Sequence, residues 1–486
     1  MERRERPQCV RYDGVDPGYF ERRRLRRHAR VGSLWALGVG AVISGDFFGW
    51  NFGLGAGGFG GMLAATVVIT VLFVCLCVSV AEMASLLPHT GGAYSFARSA
   101  LGPWGGYVTG LAENMEYIFT PAVIVVGIGG YLGAIFGTPD SAAPLWWLAA
   151  YATFVGLNVA GVETSFRFTV AITLLALAIL VVFWLGALPW QDLERFALDV
   201  PPEPGRSPWL PFGAQGVLAA LPFAIWFYLG IEELPLTAEE AHAPERDLPK
   251  GLLLGLATLV VCSFATLVLS AGMPPGALAL AGSDEPLFAG FATITGGGIG
   301  ARALALLAVA GLVASFHTII FAYGRQIYSL SRAGYFPRWL SLTHGRRHTP
   351  HVALVVGAAL GYAVALAIHG LGPEHPVGAV LLNMAVFGAV ISYALQMLSF
   401  VLLRRRLGHL ARPFRSPLGA PGALVALAIS LLTLVGLFVS DPVYRRVVIG
   451  AALWFAAGLA WFALVGRHRL VLSPEERFAR DSRDPQ

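Results

Sequence analysis

The chain has 486 residues, of which 56% are hydrophobic and only 13% charged, with 58 glycines, 30 prolines and a formal net charge of +5. Soluble domains carry about 25% charged residues, so this composition excludes a soluble enzyme and a soluble nucleic-acid-binding domain. The stretches free of Asp, Glu, Lys and Arg are continuous rather than alternating, which excludes an outer-membrane barrel of strands with about ten alternating residues.

Crossing a hydrocarbon core about 30 Å thick takes roughly 20 apolar residues. The runs therefore predict an all-α polytopic membrane protein with twelve transmembrane helices, near 33–57, 60–86, 105–137, 144–160, 168–188, 213–240, 251–273, 303–330, 351–370, 377–403, 418–439 and 447–466. Gly57, Gly58, Gly60 and Gly61 divide the first long run, 47–81, between two helices. Residues 1–32 form a basic tail with ten Arg and no apolar stretch of the kind a cleavable signal needs. Residues 467–486 form a second tail, and 33–466 is the membrane domain. On this map 29 of the 34 basic residues fall on the N-terminal side and 5 on the other. By the positive-inside rule both termini are expected in the cytoplasm.

The net charge thus reflects topology, and no nucleic-acid partner is expected. The run from Glu21 to Arg30 is expected to lie along anionic lipid of the bilayer. Cys9, Cys75, Cys77 and Cys262 fall in the tail or inside predicted helices; no disulfide, metal site or cofactor is expected. The segments 188–212 and 274–302, the latter polar around Ser283, Asp284 and Glu285, are expected outside, where they cap a vestibule.

Two spans do not read as ordinary helices. The first contains GVGAVISGDFFGW and the sixth LPFAIWFYLGIEELP. Glycine and proline weaken a helix interior by about 1 and 3 kcal/mol, and irregular backbone at membrane depth is tolerated only where it lines a cavity or is buried in protein. Interrupted spans at matching positions of two halves point to a transporter's binding site. The bland alternative is glycine serving only close helix packing.

At these residues a family resemblance enters. The stretch Ser33 to Arg98, with its Gly-rich first span and AEMASLLPHTGGAYSFAR, resembles amino acid, polyamine and organocation (APC) permeases. FYLGIEELPLTAEEAHAPERDLP (Phe227–Pro249) and RQIYSLSRAGYFPRWL (Arg325–Leu340) are similar to that superfamily's sixth and eighth helices with their trailing loops. Within it, SGDFFGWNFGLGAGGFGG, ENMEYIFTPAVIVVGIGGYLG and IEELPLTAEEAH resemble bacterial ethanolamine permeases. The resemblance implies a five-plus-five inverted repeat (33–188 and 213–403) with broken first and sixth helices, two extra C-terminal helices (418–466), and a place in the bacterial cytoplasmic (inner) membrane. It implies a secondary transporter rather than an enzyme.

An ionisable group inside a span costs at least about 2.5–3.5 kcal/mol, so each calls for a reason. Asp46 lies in the first break, Glu232 and Glu233 in the second, and Glu113 and Glu116 share one face of the third span. Convergence on one central cavity is expected, with Glu116 deeper than Glu113. Amino acid permeases hold a substrate carboxylate on the free amides of the broken first helix. Asp46, next to Ser44 and Gly45, puts negative charge at that place and so favours a small cation without a carboxylate, such as ethanolamine. Phe48, Trp50, Tyr117 and above all Tyr228, beside Gly230, are candidates to hold an ammonium by cation–π attraction.

Glu82, Glu239 and Glu240 sit at helix ends, where pairing with Arg is the expectation. His317 is expected as a hydrogen-bonded imidazole inside the bundle, with proton relay as the alternative. Ser315 and Thr318 are candidate sodium ligands. The lysine that many proton-coupled members carry on the fifth helix is Ala176 in our register, so the coupling ion, H+ or Na+, stays open. The competing readings are an amino acid or polyamine permease of the same fold and a non-transporting sensor, for which both tails are short. No HExxH, GxSxG or GxxxxGK[ST] motif supports a membrane enzyme or an ATP-driven pump. Oligomeric state is not encoded in any pattern we recognise.

Overall fold

The computed structural model describes residues 10–473 except 17, 24, 284, 371–376 and 440–442, together with 477, 478, 481 and 482. Cys9 and Asp284 lie outside the described residues. In hydrocarbon every backbone N–H and C=O must be satisfied within its own segment, and the apolar runs accordingly become helices. The first run gives α1 (Val31–Val42), α2 (Ser44–Phe47) and α3 (Phe52–Leu86). The last of these leaves helical geometry at Gly58 (φ 67°, ψ 176°), inside the predicted glycine boundary. Then follow α4 (Gly92–Leu101), α5 (Pro103–Phe136), α6 (Ala143–Ala160) and α7 (Val162–Ala187).

The second half opens with α8 (Gly213–Ile225), which runs through a turn at Trp226–Gly230 into a 3-10 helix, Ile231–Glu240. It continues with α9 (Pro244–Ala271), α10 (Ala277–Ala281), α11 (Pro286–Thr295), α12 (Gly298–Arg332), α13 (His351–His369) and α14 (Val377–Arg406). The last two are α15 (Gly419–Val439) and α16 (Val443–Leu464). Ten helices among the described residues are long and apolar enough to cross a membrane. The two interrupted spans, opening at Val31 and Gly213, complete the twelve expected. The break expected in the sixth span falls at Trp226–Gly230, and the segment 274–302 carries α10 and α11.

Position in the bundle follows burial. The apolar windows of α5 and α12 are each 83% buried, against 17% for α16, so α5 and α12 are central and α16 is peripheral. The closest packing joins α5 to α14, α3 to α8 and α5 to α12. Both tails lie on one face, since the Arg11 amide donates to the Arg467 carbonyl (2.7 Å) and Tyr12 pairs with Leu470. On this terminal face the helix-end glutamates pair with arginines as expected: Glu82 with Arg404 (3.1 Å) and Arg412 (2.8 Å), Glu240 with Arg325 (2.9 Å), and Glu239 with Arg332. On the opposite face the Asn51 side-chain amide donates to the carbonyls of Leu280 (2.7 Å) and Ser283 (2.8 Å). That contact seats the 277–283 segment over the first break.

Candidate substrate and ion site at two crossed helix breaks

The two interrupted spans cross at their weak points. A Cβ built on Gly45 would lie 2.1 Å from the Trp226 carbonyl oxygen, so only glycine allows the two backbones to meet there. Gly230, which closes the second break, has φ 103°, a left-handed conformation that other residues adopt only with strain. The first break lies further along the chain than the sequence suggests. Ser44–Phe47 still form a helical turn, and the backbone becomes extended only at Phe48 (φ −162°, ψ 149°). Asp46 therefore stands on the last turn before the break, and Glu232 and Glu233 stand in the first turn of the 3-10 helix after the second.

The first span is fastened at this level by α12. The Ser44 amide donates to the Ser315 hydroxyl (2.8 Å), which donates in turn to the Gly40 carbonyl (2.8 Å). Thr318 donates to Ala314 within its own helix (2.8 Å), and Thr173 of α7 donates to the Ala36 carbonyl (3.1 Å). The hydroxyls of Thr173 and Thr318 both border Gly40. Thr173 and Thr169 are thus the α7 residues that border Gly40. No lysine occurs in α7.

The five membrane carboxylates have different neighbours. Asp46 is fully buried, its polar neighbours are Thr266 and Cys262 of α9 and the Tyr228 hydroxyl, and neither of its oxygens has a hydrogen-bond partner among the described residues. Glu113, Glu116, Glu232 and Glu233 gather instead between α5 and the 3-10 helix. Glu113 is tied down there, accepting from the Gln326 amide (2.6 Å) and the Tyr94 backbone N–H (3.2 Å). Glu116 and Glu232 face each other, with the Tyr393 hydroxyl of α14 beside Glu232. Both oxygens of Glu116 and Glu233, and one of Glu232, lack partners among the described residues. The other Glu232 oxygen accepts from the Gly230 amide (3.2 Å). No Lys or Arg occurs in α5 or between Gly213 and Glu245, so neither element brings a basic residue of its own to balance this charge.

Aromatic rings pack together at the two breaks. Trp50 stacks on Phe227 (5.6 Å), Tyr228 on Phe73 (5.1 Å), and Phe48 meets Phe52 edge-on (5.7 Å). Tyr117 is buried beside the four glutamates. The Tyr228 hydroxyl is held between Thr70 and Ser263 (2.7 Å each). His317 is bonded through both ring nitrogens, to Ser165 (2.9 Å) and Asn158 (3.1 Å). Sequence reasoning passed over Tyr393, Thr266, Thr173 and Gln326, whose signal was a polar atom in an otherwise apolar span.

A fully helical bundle in which two broken spans cross at an acidic, buried centre defines a polytopic membrane transporter. The family model for amino acid permeases matches residues 31–464, and the chain belongs to that family within the APC superfamily. An uncharacterized transporter of Rhizobium meliloti is 30% identical over 82% of this chain and 83% of its own. A branched-chain amino acid permease of Bacillus subtilis is 27% identical over 82% and 85%. A methylthioribose transporter of the same organism is 25% identical over 91% of both chains. These relatives are transporters rather than enzymes.

Proposed function

We propose that this permease imports ethanolamine by alternating access as a secondary transporter of the bacterial cytoplasmic membrane, with both termini in the cytoplasm. The observation that carries the reading is Asp46, buried at the crossing of the breaks with both oxygens unpartnered among the described residues. Burying an unpaired charge is costly unless a counter-charge arrives, and an ammonium supplies both the charge and the hydrogen-bond donors. The Ser44 amide, where a substrate carboxylate would bind, is already occupied by Ser315. That favours a cation whose other end is a hydroxyl. In this reading Ser44, Gly45 and Gly230 shape the crossing, while Phe48, Trp50 and Tyr228 enclose the amine. Glu116, Glu232 and Glu233, with Tyr117 beside them, form a second acidic compartment suited to a coupling cation. Ser315 and Thr318 are the alternative place for sodium.

The similarity to a branched-chain amino acid permease favours a second reading, transport of a zwitterionic amino acid. Ligand-dependent thermal stabilisation of the purified protein separates the two. Ethanolamine is expected to raise the melting temperature while leucine and alanine do not. Stabilisation by an amino acid alone would replace the first reading with the second.

A further inference from the structure

Outside the crossed breaks lies a cavity of about 390 Å³ between α5, α12, α13 and α16, walled by apolar side chains such as Leu111, Ile327, Val356 and Trp454. It falls within the size range of ligand pockets, about 300–1,000 Å³. Next to it on the terminal face is a second cavity of about 360 Å³, of opposite character, whose walls include Arg338, Arg469 and Asp13. Phe336, Pro337 and Trp461 line both cavities, so an apolar chamber among the spans adjoins a polar one on the terminal face. Two arginines against one aspartate leave the outer chamber positive. Arg338 pairs with Asp13 at 2.8 Å yet stays 38% exposed, and Arg469 is exposed as well. Trp339, 54% exposed, stands at the same rim, at the depth where tryptophan anchors a protein to the headgroup layer.

We propose that these two chambers form one binding site for an anionic phospholipid of the leaflet on the terminal side, with an acyl chain between α5, α13 and α16 and the phosphate on Arg338 and Arg469. The charge selects an anionic headgroup over a zwitterionic one, since each basic residue near an anionic surface favours binding by about fivefold. The inner chamber selects a lipid over free phosphate, which would leave it empty. This site is independent of what the permease carries.

Native mass spectrometry of the full-length protein, stripped in detergent and then offered equal amounts of phosphatidylglycerol and phosphatidylcholine, tests the assignment. One phosphatidylglycerol is expected to be retained in preference by about fivefold or more. Arg338→Gln with Arg469→Gln should remove that preference. Arg469→Gln alone, which keeps the Arg338–Asp13 pair, should reduce it, and this guards against a loosened N-terminal tail. Val356→Trp, which fills the inner chamber, should lower retention of both lipids. Equal retention of the two lipids by the native protein, an undiminished preference in the double variant, or retention of inorganic phosphate in place of lipid would overturn it.

Discussion

At the level of single residues, Asp46 and Gly45 are neighbours with different tasks. The Gly45 hydrogen faces a backbone carbonyl that cannot rotate away, so Gly45→Ala forces the two broken spans apart. Overpacking of a core costs about 1–3 kcal/mol. Thermal unfolding should show this as a lowered midpoint, whereas Gly156→Ala, with open space around a glycine inside α6, should not lower it. Asp46→Asn removes charge without changing shape. On the reading above it should cut substrate uptake by about thirtyfold or more, the scale of removing one partner of a buried charged contact, while the protein stays folded. Uptake at the native rate would remove Asp46 from the binding role. The identity of these residues was readable from the sequence because charge and glycine are rare enough inside spans to stand out. Their neighbours were not readable: nothing in the spacing of Asp46, Glu116 and Glu232 says that Asp46 meets Thr266 and Cys262 of α9 while Glu116 of α5 meets Glu232 of the 3-10 helix.

Among the elements, the connection between α12 and the first span decides how firmly the break is held. The Ser315 hydroxyl accepts from the Ser44 amide and donates to the Gly40 carbonyl, both in the last turns before the break. Ser315→Ala leaves a buried amide and a buried carbonyl unsatisfied, at about 1–3 kcal/mol for each such group. Slower amide exchange at Ser44 in the native protein than in Ser315→Ala is the expected result; equal protection would show that Ser315 does not hold the break. The sequence showed where helices lie, because each must be apolar over its whole length to cross the bilayer. It was less informative about how they end. A helical turn through Ser44–Phe47 and a ten-residue 3-10 helix, Ile231–Glu240, arise from contacts between distant spans rather than from local preference. The approach of Thr169 and Thr173 to Gly40 has the same origin, since only packing shows which α7 residues reach it.

For the whole molecule, the terminal face is closed by buried ion pairs and the opposite face by connecting segments laid over the breaks. Arg325 and Glu240 are fully buried partners, and the backbone amides of His28 and Ala29 donate to the Glu240 carbonyl at 2.7 and 2.9 Å. Glu240→Ala leaves Arg325 buried without its counter-charge, a loss of about 3–5 kcal/mol. Replacing both with Met should recover most of that in a double-mutant thermal unfolding cycle; failure to recover would mean that the pair is not what holds this face. The expectation that Glu82, Glu239 and Glu240 serve arginines was legible from their positions at helix ends. Their partners on α12 and α14 were not, because pairing across more than 80 residues is set by the folded bundle. On the proposed reading the crossing of the two breaks binds a small cation without a carboxylate. Uptake of labelled ethanolamine into proteoliposomes, with and without imposed proton and sodium gradients and in competition with leucine, alanine and putrescine, tests it most directly. Ethanolamine is expected to accumulate under one of the two gradients, undiminished by leucine or alanine, and its accumulation to be lost in Asp46→Asn. Accumulation of leucine or alanine with no uptake of ethanolamine would contradict that reading.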